Sequence, residues 1–390
     1  MPYLTSVGTY LPIWGTTRHR VAGDDEDAIT MAVEAGRAAL ADGGSVESVI
    51  LVTRDLPLSE SSNAAVLLAG LELDPELEVA ERLGGAPAAL DALSSARPRT
   101  LVIGVDLEPA GAAAVLTGDK GMRVCTSARV SRSLPVRTRS AAGAVHDYGD
   151  ARFLHDRGLV ASLAASWVDK PTVVAGVGGK YLTDVAEVDA ALPTLGASSG
   201  LFAVARMAEQ GLTGRLVAVE QASLSGISVD DGHLAVHRRE PAARPKSDEP
   251  ITPGGELRIS LASYERAFDA KVRWEAGRFA DSAELDFPPR YHVDTDGSLR
   301  TDYELVPLPR AGVVYSEATV HVPVPGLPSP YSLVLVDLDD VGVRALVKVT
   351  GAHVGLVGVG DRGRLVLRRL AVRSGVPDYG YAFEPEGVAA

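Results

Sequence analysis

Histidine and aspartate concentrate in one stretch of this chain. "GAVHDYGDARFLHDRG" (143–158) holds His146, Asp147, Asp150, His155 and Asp156. Imidazoles and carboxylates this close could share a metal ion or move a proton, since histidine titrates near neutral pH. The two histidines lack the i, i+4 helical spacing that puts two imidazoles on one ion. The stretch therefore reads as a polar loop, with His146 and His155 as the candidate catalytic acid–base groups. Cys125, the single cysteine, lies in an apparent strand, "GMRVCTSARVS", and reads as an inert, buried thiol. Ser198 and Ser199 head a helix, where hydroxyls cap backbone N–H groups. A nucleophilic serine would need a histidine partner, and none is near in sequence. "YHVDTDGSLRTDYEL" (291–305) offers His292, Asp294 and Asp296 but no thiolate, so a small metal-free knuckle is expected there. Two glycine-rich runs, "GVGGKY" and "GVGDRG", lack the strand–loop–helix context of a phosphate cradle and read as turns.

The elements that must position these residues alternate between helix and strand over the first 235 residues. Asp24 or Asp25 can cap a helix with an acidic first turn. "SVILVT" (48–53) is a short apolar strand, and Asn63 to Leu71 a helix. "TLVIGVD" (100–106) is apolar without alternation, as in a sheet covered on both faces. "GGAPAALDALSSARPRTLVIGVD" (84–106) is echoed by "SSGLFAVARMAEQGLTGRLVAVE" (198–220), about 114 positions later. Both run from small residues through a helix to a buried strand, which points to duplicated half-domains. Residues 238–256 are rich in proline and charge and read as a linker. Ile259 to Phe279 reads as an amphipathic helix, ended by "FPPR" (287–290). From Gly312 onward the pattern is all-β: five short strands in about 75 residues fit a small closed barrel such as an OB-fold.

The bulk composition sets outer bounds. The chain has 390 residues, of which 46% are hydrophobic and 23% charged, enough for two or three domains with real cores. A formal net charge of −13 argues against nucleic acid and against an anionic membrane surface, since both need a basic face. No apolar run is long enough to span a bilayer. The N-terminus, "MPYLTSVGTYLPIW", lacks the basic start and long apolar run of a signal peptide. One cysteine excludes internal disulfides. A cytoplasmic location is expected.

The segments "VGTYLP", "DEDAITMAVEAGRAAL", "VILVT" and "LGASSGLFAVARMAEQG" together resemble the thiolase superfamily, in particular 3-hydroxy-3-methylglutaryl-CoA synthase and ketoacyl synthase III. "FPPR", "AGVVYSEATVHVP" and "SPYSLVLVDLDD" are similar to the zinc-ribbon/OB-fold family that accompanies thiolases. The resemblance implies an α/β thiolase-like fold of duplicated half-domains with helices between sheets, followed by a small all-β OB-fold barrel. The expected domains are a thiolase-like domain over 1–237, a linker over 238–256, a helix with a degenerate zinc ribbon over 257–310, and the OB-fold over 311–386.

The departures from that family matter as much. Its "Asn-Ala-Cys-Tyr-Gly-Gly-Thr" segment aligns with Ala80 to Ala86, so the nucleophilic cysteine falls on Arg82. A protonated guanidinium has no lone pair with which to attack a thioester. The family's acidic base falls on Arg54, its histidine on Ala175 or Gly176, and its asparagine on Thr194. Arg82, Arg54, Thr194 and Ser198 are thus the vestigial active-site positions and the candidate substrate-binding residues. Cysteine-dependent chemistry is not expected. The resemblance implies a catalytically degenerate acyl-CoA-binding subunit with a coenzyme A thioester as candidate ligand and no covalently bound cofactor. Its partner would be an active thiolase-family enzyme or a hydratase, joined in a homodimer or heteromer. Two alternatives stay open. One is an active acyl-CoA aldolase, lyase or acyltransferase drawing its base from 143–158, because aldol cleavage needs only a base and an oxyanion hole. The other is a scaffold without ligand.

Overall fold

The structure of the protein is a computed structural model. It describes residues 2–387 apart from 141–142, 179–184, 189–190, 247–250, 256–257, 323 and 326. In chain order the elements begin β1 (Tyr3–Tyr10), α1 (Ala28–Ala39), β2 (Ser48–Thr53), α2 (Ala64–Leu71), β3 (Glu78–Leu83), α3 (Ala86–Ser95), β4 (Thr100–Leu107), β5 (Ala110–Gly118), β6 (Met122–Ser131), β7 (Arg137–Arg139) and β8 (Val145–Asp147). There follow α4 (Ala151–Phe153), a π-helical turn (Leu154–Val160) and α5 (Ala161–Ser166), then β9 (Val173–Ala175), α6 (Ala197–Gln210), β10 (Gly214–Glu220), β11 (Ser223–Val229) and β12 (Ala235–Arg239). The remainder is α7 (Leu261–Phe268), a second π-helical turn (Asp269–Arg273), β13 (Glu275–Arg278), β14 (His292–Val293), β15 (Leu299–Arg300), β16 (Glu304–Pro307) and β17 to β21 (Ala311–Val320, Tyr331–Leu338, Arg344–Val349, Arg362–Arg373, Val376–Pro385).

The chain divides into two compact units. The first comprises Met1–Ala22, Met31–Leu56 and Leu73–Ala243. Its strands run in the order β3-β2-β4-β5-β1 in one half and β6-β11-β10-β9 in the other. In each half the strands next to the inner helix are parallel, β2 with β3 and β4, and β9 with β10. An antiparallel strand follows each, β5 after β4 and β11 after β10. Helices α3 and α6 pack on each other and each meets strands of both halves. This is the expected duplicated α/β arrangement with helices between sheets. The repeat in the sequence corresponds to α3–β4 and α6–β10. Because α3 and α6 pack on each other and on strands of both halves, much of their surface faces the core: Ala89, Leu90, Ala203 and Val204 are all fully buried. Gly104 shows why "LVIGVD" carries a glycine, since a Cβ there would lie 2.5 Å from the Ala197 carbonyl oxygen in the first turn of α6.

The second unit comprises Gly23–Thr30, Pro57–Glu72 and Arg244–Ala390. It holds the closed barrel β17-β18-β19-β21-β20, the five strands expected from the sequence. Two segments expected in the first domain belong to it instead. The reason is a set of contacts distant in sequence. Asp27 caps α1 through Ile29 N and Thr30 N, and its other carboxylate oxygen accepts a 2.8 Å hydrogen bond from the Tyr379 hydroxyl on β21. The cap is therefore Asp27, not Asp24 or Asp25. Arg368 is 2% exposed and lies 3.7 Å from Glu26 and from Glu384. Arg310 pairs with Glu72.

Other boundaries shift as well. The helix expected over Ile259–Phe279 ends at Arg273, where Trp274 turns left-handed (φ 65°) and β13 begins. The expected linker starts later than residue 238, because Arg238 and Arg239 continue β12 beside β1. Its residues 247–250 and 256 lie outside the described residues. In the ribbon region, β14 and β15 form a short hairpin. His292 there approaches Asp286 at 2.5 Å, and Asp296 accepts hydrogen bonds from Ser298. Among the described residues, no helix is long and apolar enough to cross a membrane.

Candidate functional site

In open α/β sheets, strands deliver side chains to the carboxyl edge of the sheet, and ligands bind there. The first unit follows this rule. Arg54 directly follows β2, Asp106 lies near the end of β4 and Glu220 ends β10. All three line a cavity of about 510 Å³. Its other walls include Gly196 at the start of α6, Gly176 after β9, Arg137 to Arg139 of the β7–β8 hairpin, and Leu154, His155 and Leu159 of the π-helical turn.

Two helix N-termini point at this space. At α6 the N-cap is Gly196, and the capping oxygens come from Asp106. Ala197 N donates to Oδ1 at 2.7 Å, while Ser198 N (2.9 Å) and Ser198 Oγ (2.6 Å) donate to Oδ2. Thr194 Oγ1 lies 2.8 Å from Ser198 Oγ and extends the network. The helix dipole favours a negative charge at this end. Burial pushes the Asp106 carboxyl up from the ordinary carboxylate range, against the pull of the Ser198 and Ala197 hydrogen bonds and the charge of Arg54.

At α3 the N-cap is Gly85, with no side-chain cap. A Cβ there would lie 2.3 Å from both Arg54 Nη2 and Glu220 Oε2. The space before this helix is thus taken by the Arg54–Glu220 ion pair. Burial lowers the Arg54 guanidinium from its usual value, opposed by Asp106. The rim is charged too: Arg139 pairs with Asp55 at 3.0 Å, and Arg137 N donates to Gln221 Oε1 at 3.0 Å.

The residues singled out by sequence divide cleanly. Arg54 lines the cavity, Ser198 stands behind its wall as a partner of Asp106, and Thr194 is a partner of Ser198. Ser198 is not the cap that a helix-heading hydroxyl suggests. It is a donor to the capping carboxylate. Ser199 Oγ accepts from Gly176 N at 3.0 Å. Arg82 is not brought to the site: it is exposed on β3, paired in register with Val52, and does not line the cavity. His155 reaches the cavity wall, its Nδ1 2.8 Å from Asp156 Oδ1, whereas His146 is exposed on β8 and does not. The segment expected as a polar loop is helical from Ala151 to Ser166, capped by Asp150. Cys125 sits on β6, half-buried and outside the cavity. Among the described residues no group of three or more His, Cys, Asp or Glu could hold a metal ion.

Asp106 and Glu220 were missed by sequence reasoning. The signal was present. Each is a carboxylate closing an apolar strand at the same place in the internal repeat, "LVIGVD" and "LVAVE". Among the described residues that line it, the site offers paired charges, the Thr138 hydroxyl and the His155 imidazole, and neither a thiol nor a serine hydroxyl.

The family model described as "ChsH2, C-terminal OB-fold domain" matches residues 305–368, within the second unit. No curated protein matches the chain. Among solved structures, the chain is similar to 3-oxoacyl-(acyl carrier protein) synthase III, FabH, from Pseudomonas aeruginosa, at 17% identity and a TM-score of 0.45, over 60% of this chain and 98% of that one. It is similar to the corresponding synthase of Aquifex aeolicus at 18% identity and a TM-score of 0.45, over 59% and 99%. It is also similar to Xanthomonas campestris OleA at 11% identity and a TM-score of 0.46, over 58% and 98%.

Proposed function

We propose that this chain is a catalytically degenerate, thiolase-like acyl-CoA-binding subunit that works beside an active thiolase-family enzyme or hydratase. One observation carries the reading: the space in front of α3 is filled by the Arg54–Glu220 ion pair, and Gly85 stands where a side chain would project into it. A helix N-terminus is where a nucleophile gains most from the dipole. Here that place holds a cation already matched to a carboxylate, which can bind a ligand but cannot form an acyl bond. The sequence resemblance to acyl-CoA condensing enzymes and the OB-fold match supply the ligand class and the type of partner.

The test is incubation with an acyl-CoA, followed by intact mass and calorimetry. The expected result is reversible binding and no acyl adduct. Arg54→Ala should weaken binding by about tenfold, as loss of a charge-assisted hydrogen bond costs about 1.5–3 kcal/mol. Arg82→Ala should leave it unchanged. A stoichiometric adduct on any residue would refute the proposal. Purification from the native cell should return a thiolase-family or hydratase partner, and light scattering should show a dimer or heteromer.

His155 supports a second reading, an active aldolase or lyase. Its imidazole is on the cavity wall and Asp156 can orient it, the pairing a general base requires. Partner-free cleavage of a β-hydroxyacyl-CoA that disappears in His155→Ala would establish this second reading in place of the first.

A further inference from the structure

The second unit contains two adjoining chambers that neither reading uses. One, of about 330 Å³, is lined among the described residues by the cations Arg258, Lys271 and Arg373 and by the carboxylate of Asp378. Asp378 is shared: Lys271 Nζ pairs with it, and Arg373 Nε lies 3.1 Å from it. Among the described lining residues three cations face one carboxylate, in a chain whose net charge is −13. The other chamber, of about 510 Å³, is walled mainly by Ile29, Leu58, Ala65 and Val66, with Glu265 of α7 and Asp269 directly after it. Tyr264, Phe268 and Tyr379 line both chambers, so the two spaces adjoin at these three side chains. Tyr264 and Phe268 are four residues apart on the same face of α7. Both are only half-buried, and α7 has no fully buried residue. Helix α7 therefore roofs a gap that the barrel does not fill.

We propose that this pair of chambers binds a small amphiphilic acid, with its carboxylate among Arg258, Lys271 and Arg373 and its apolar body against Leu58, Ala65 and Val66. Guanidinium forks match a carboxylate in geometry and charge. An apolar space next to a few convergent polar groups is the usual form of a small-molecule site. The cations of the first chamber favour an anionic head there over a neutral one, and the apolar neighbour favours a long chain over a short acid. The inference does not depend on the acyl-CoA reading of the other unit.

Calorimetry on the full chain with dodecanoate, dodecanol and propanoate tests it. Dodecanoate should bind at one per chain, and the alcohol and the short acid at least tenfold more weakly. Arg258→Ala removes an exposed cation, and Ala65→Trp fills the apolar chamber from an exposed position. Neither touches the barrel core. Each should weaken dodecanoate by about tenfold or more. No dodecanoate binding, equal binding of dodecanol, or an affinity unchanged in both variants would overturn the proposal.

Discussion

Helices α3 and α6 occupy equivalent places in the two halves of the first unit, yet their N-termini have taken opposite roles. At α6, Asp106 is buried and locked by three hydrogen bonds, so its oxygens serve the helix. At α3, the equivalent carboxylate, Glu220, leaves the helix uncapped and pairs with Arg54, which remains partly open to the cavity. Duplication supplied both helices with a carboxylate at the end of the following strand. One copy became a structural staple in the cavity wall, and the other became half of an ion pair that lines the same cavity. A buried polar network specifies the fold only if every member is satisfied, whereas a part-exposed ion pair can exchange partners with a ligand.

Removing the two carboxylates should break the comparison most visibly. Asp106→Ala leaves two N–H groups and the Ser198–Thr194 hydroxyls short of an acceptor in the core. It should cost about 3 kcal/mol or more, read from urea unfolding. Glu220→Ala exposes a guanidinium that water can reach, and should cost about 1 kcal/mol or less. Equal costs would show that both helix ends are structural and would remove the contrast.

The two N-cap glycines give a smaller and sharper test. At Gly196 a Cβ would lie 1.9 Å from Asp106 Oδ1, an atom that cannot move without breaking its bonds to α6. Gly196→Ala should cost about 2 kcal/mol through overpacking. Gly85→Ala meets the ends of two long side chains that can swing away, so it should fold nearly as well as the parent and instead disturb acyl-CoA binding. Thermal unfolding of the two variants side by side separates the cases.

The smallest effect is in pH. Burial raises the Asp106 carboxyl, so the folded chain holds that proton more tightly than the unfolded one. Its contribution is then fully present below the unfolded carboxylate value and is lost as pH rises through the raised folded value. The stability advantage of the parent over Asp106→Asn should therefore shrink between acid and neutral pH. An advantage that grows over that range would mean the helix N–H groups outweigh burial, with Asp106 held as a firm anion.

Much of this contrast was legible before any coordinates. The repeat 84–106 and 198–220 locates both helices and both strands, the family resemblance points to Arg54 and Thr194, and Ser198 stands out by heading a helix. Arg82 was misleading for a local reason: β3 runs on to Leu83, so the arginine stays in an edge strand instead of at the helix start. The 143–158 stretch misled similarly. Its polar composition suggested a loop, but Asp150 caps a helix there and only His155 turns to the cavity.

By itself the sequence determined the helices and strands of the repeat 84–106 and 198–220, that the first unit is duplicated, that a five-stranded barrel follows, and that no cysteine stands beside the glycines 84 and 85. These follow from periodicity and residue type, which record how each segment divides between core and water. Only the tertiary structure decided that Asp106 caps a helix far along the chain, that Arg54 meets Glu220, and that residues 23–30 and 57–72 join the barrel unit. Those outcomes depend on which strand ends lie side by side. A carboxylate at the end of a strand carries no local sign of whether its partner will be a peptide N–H, a guanidinium or a ligand.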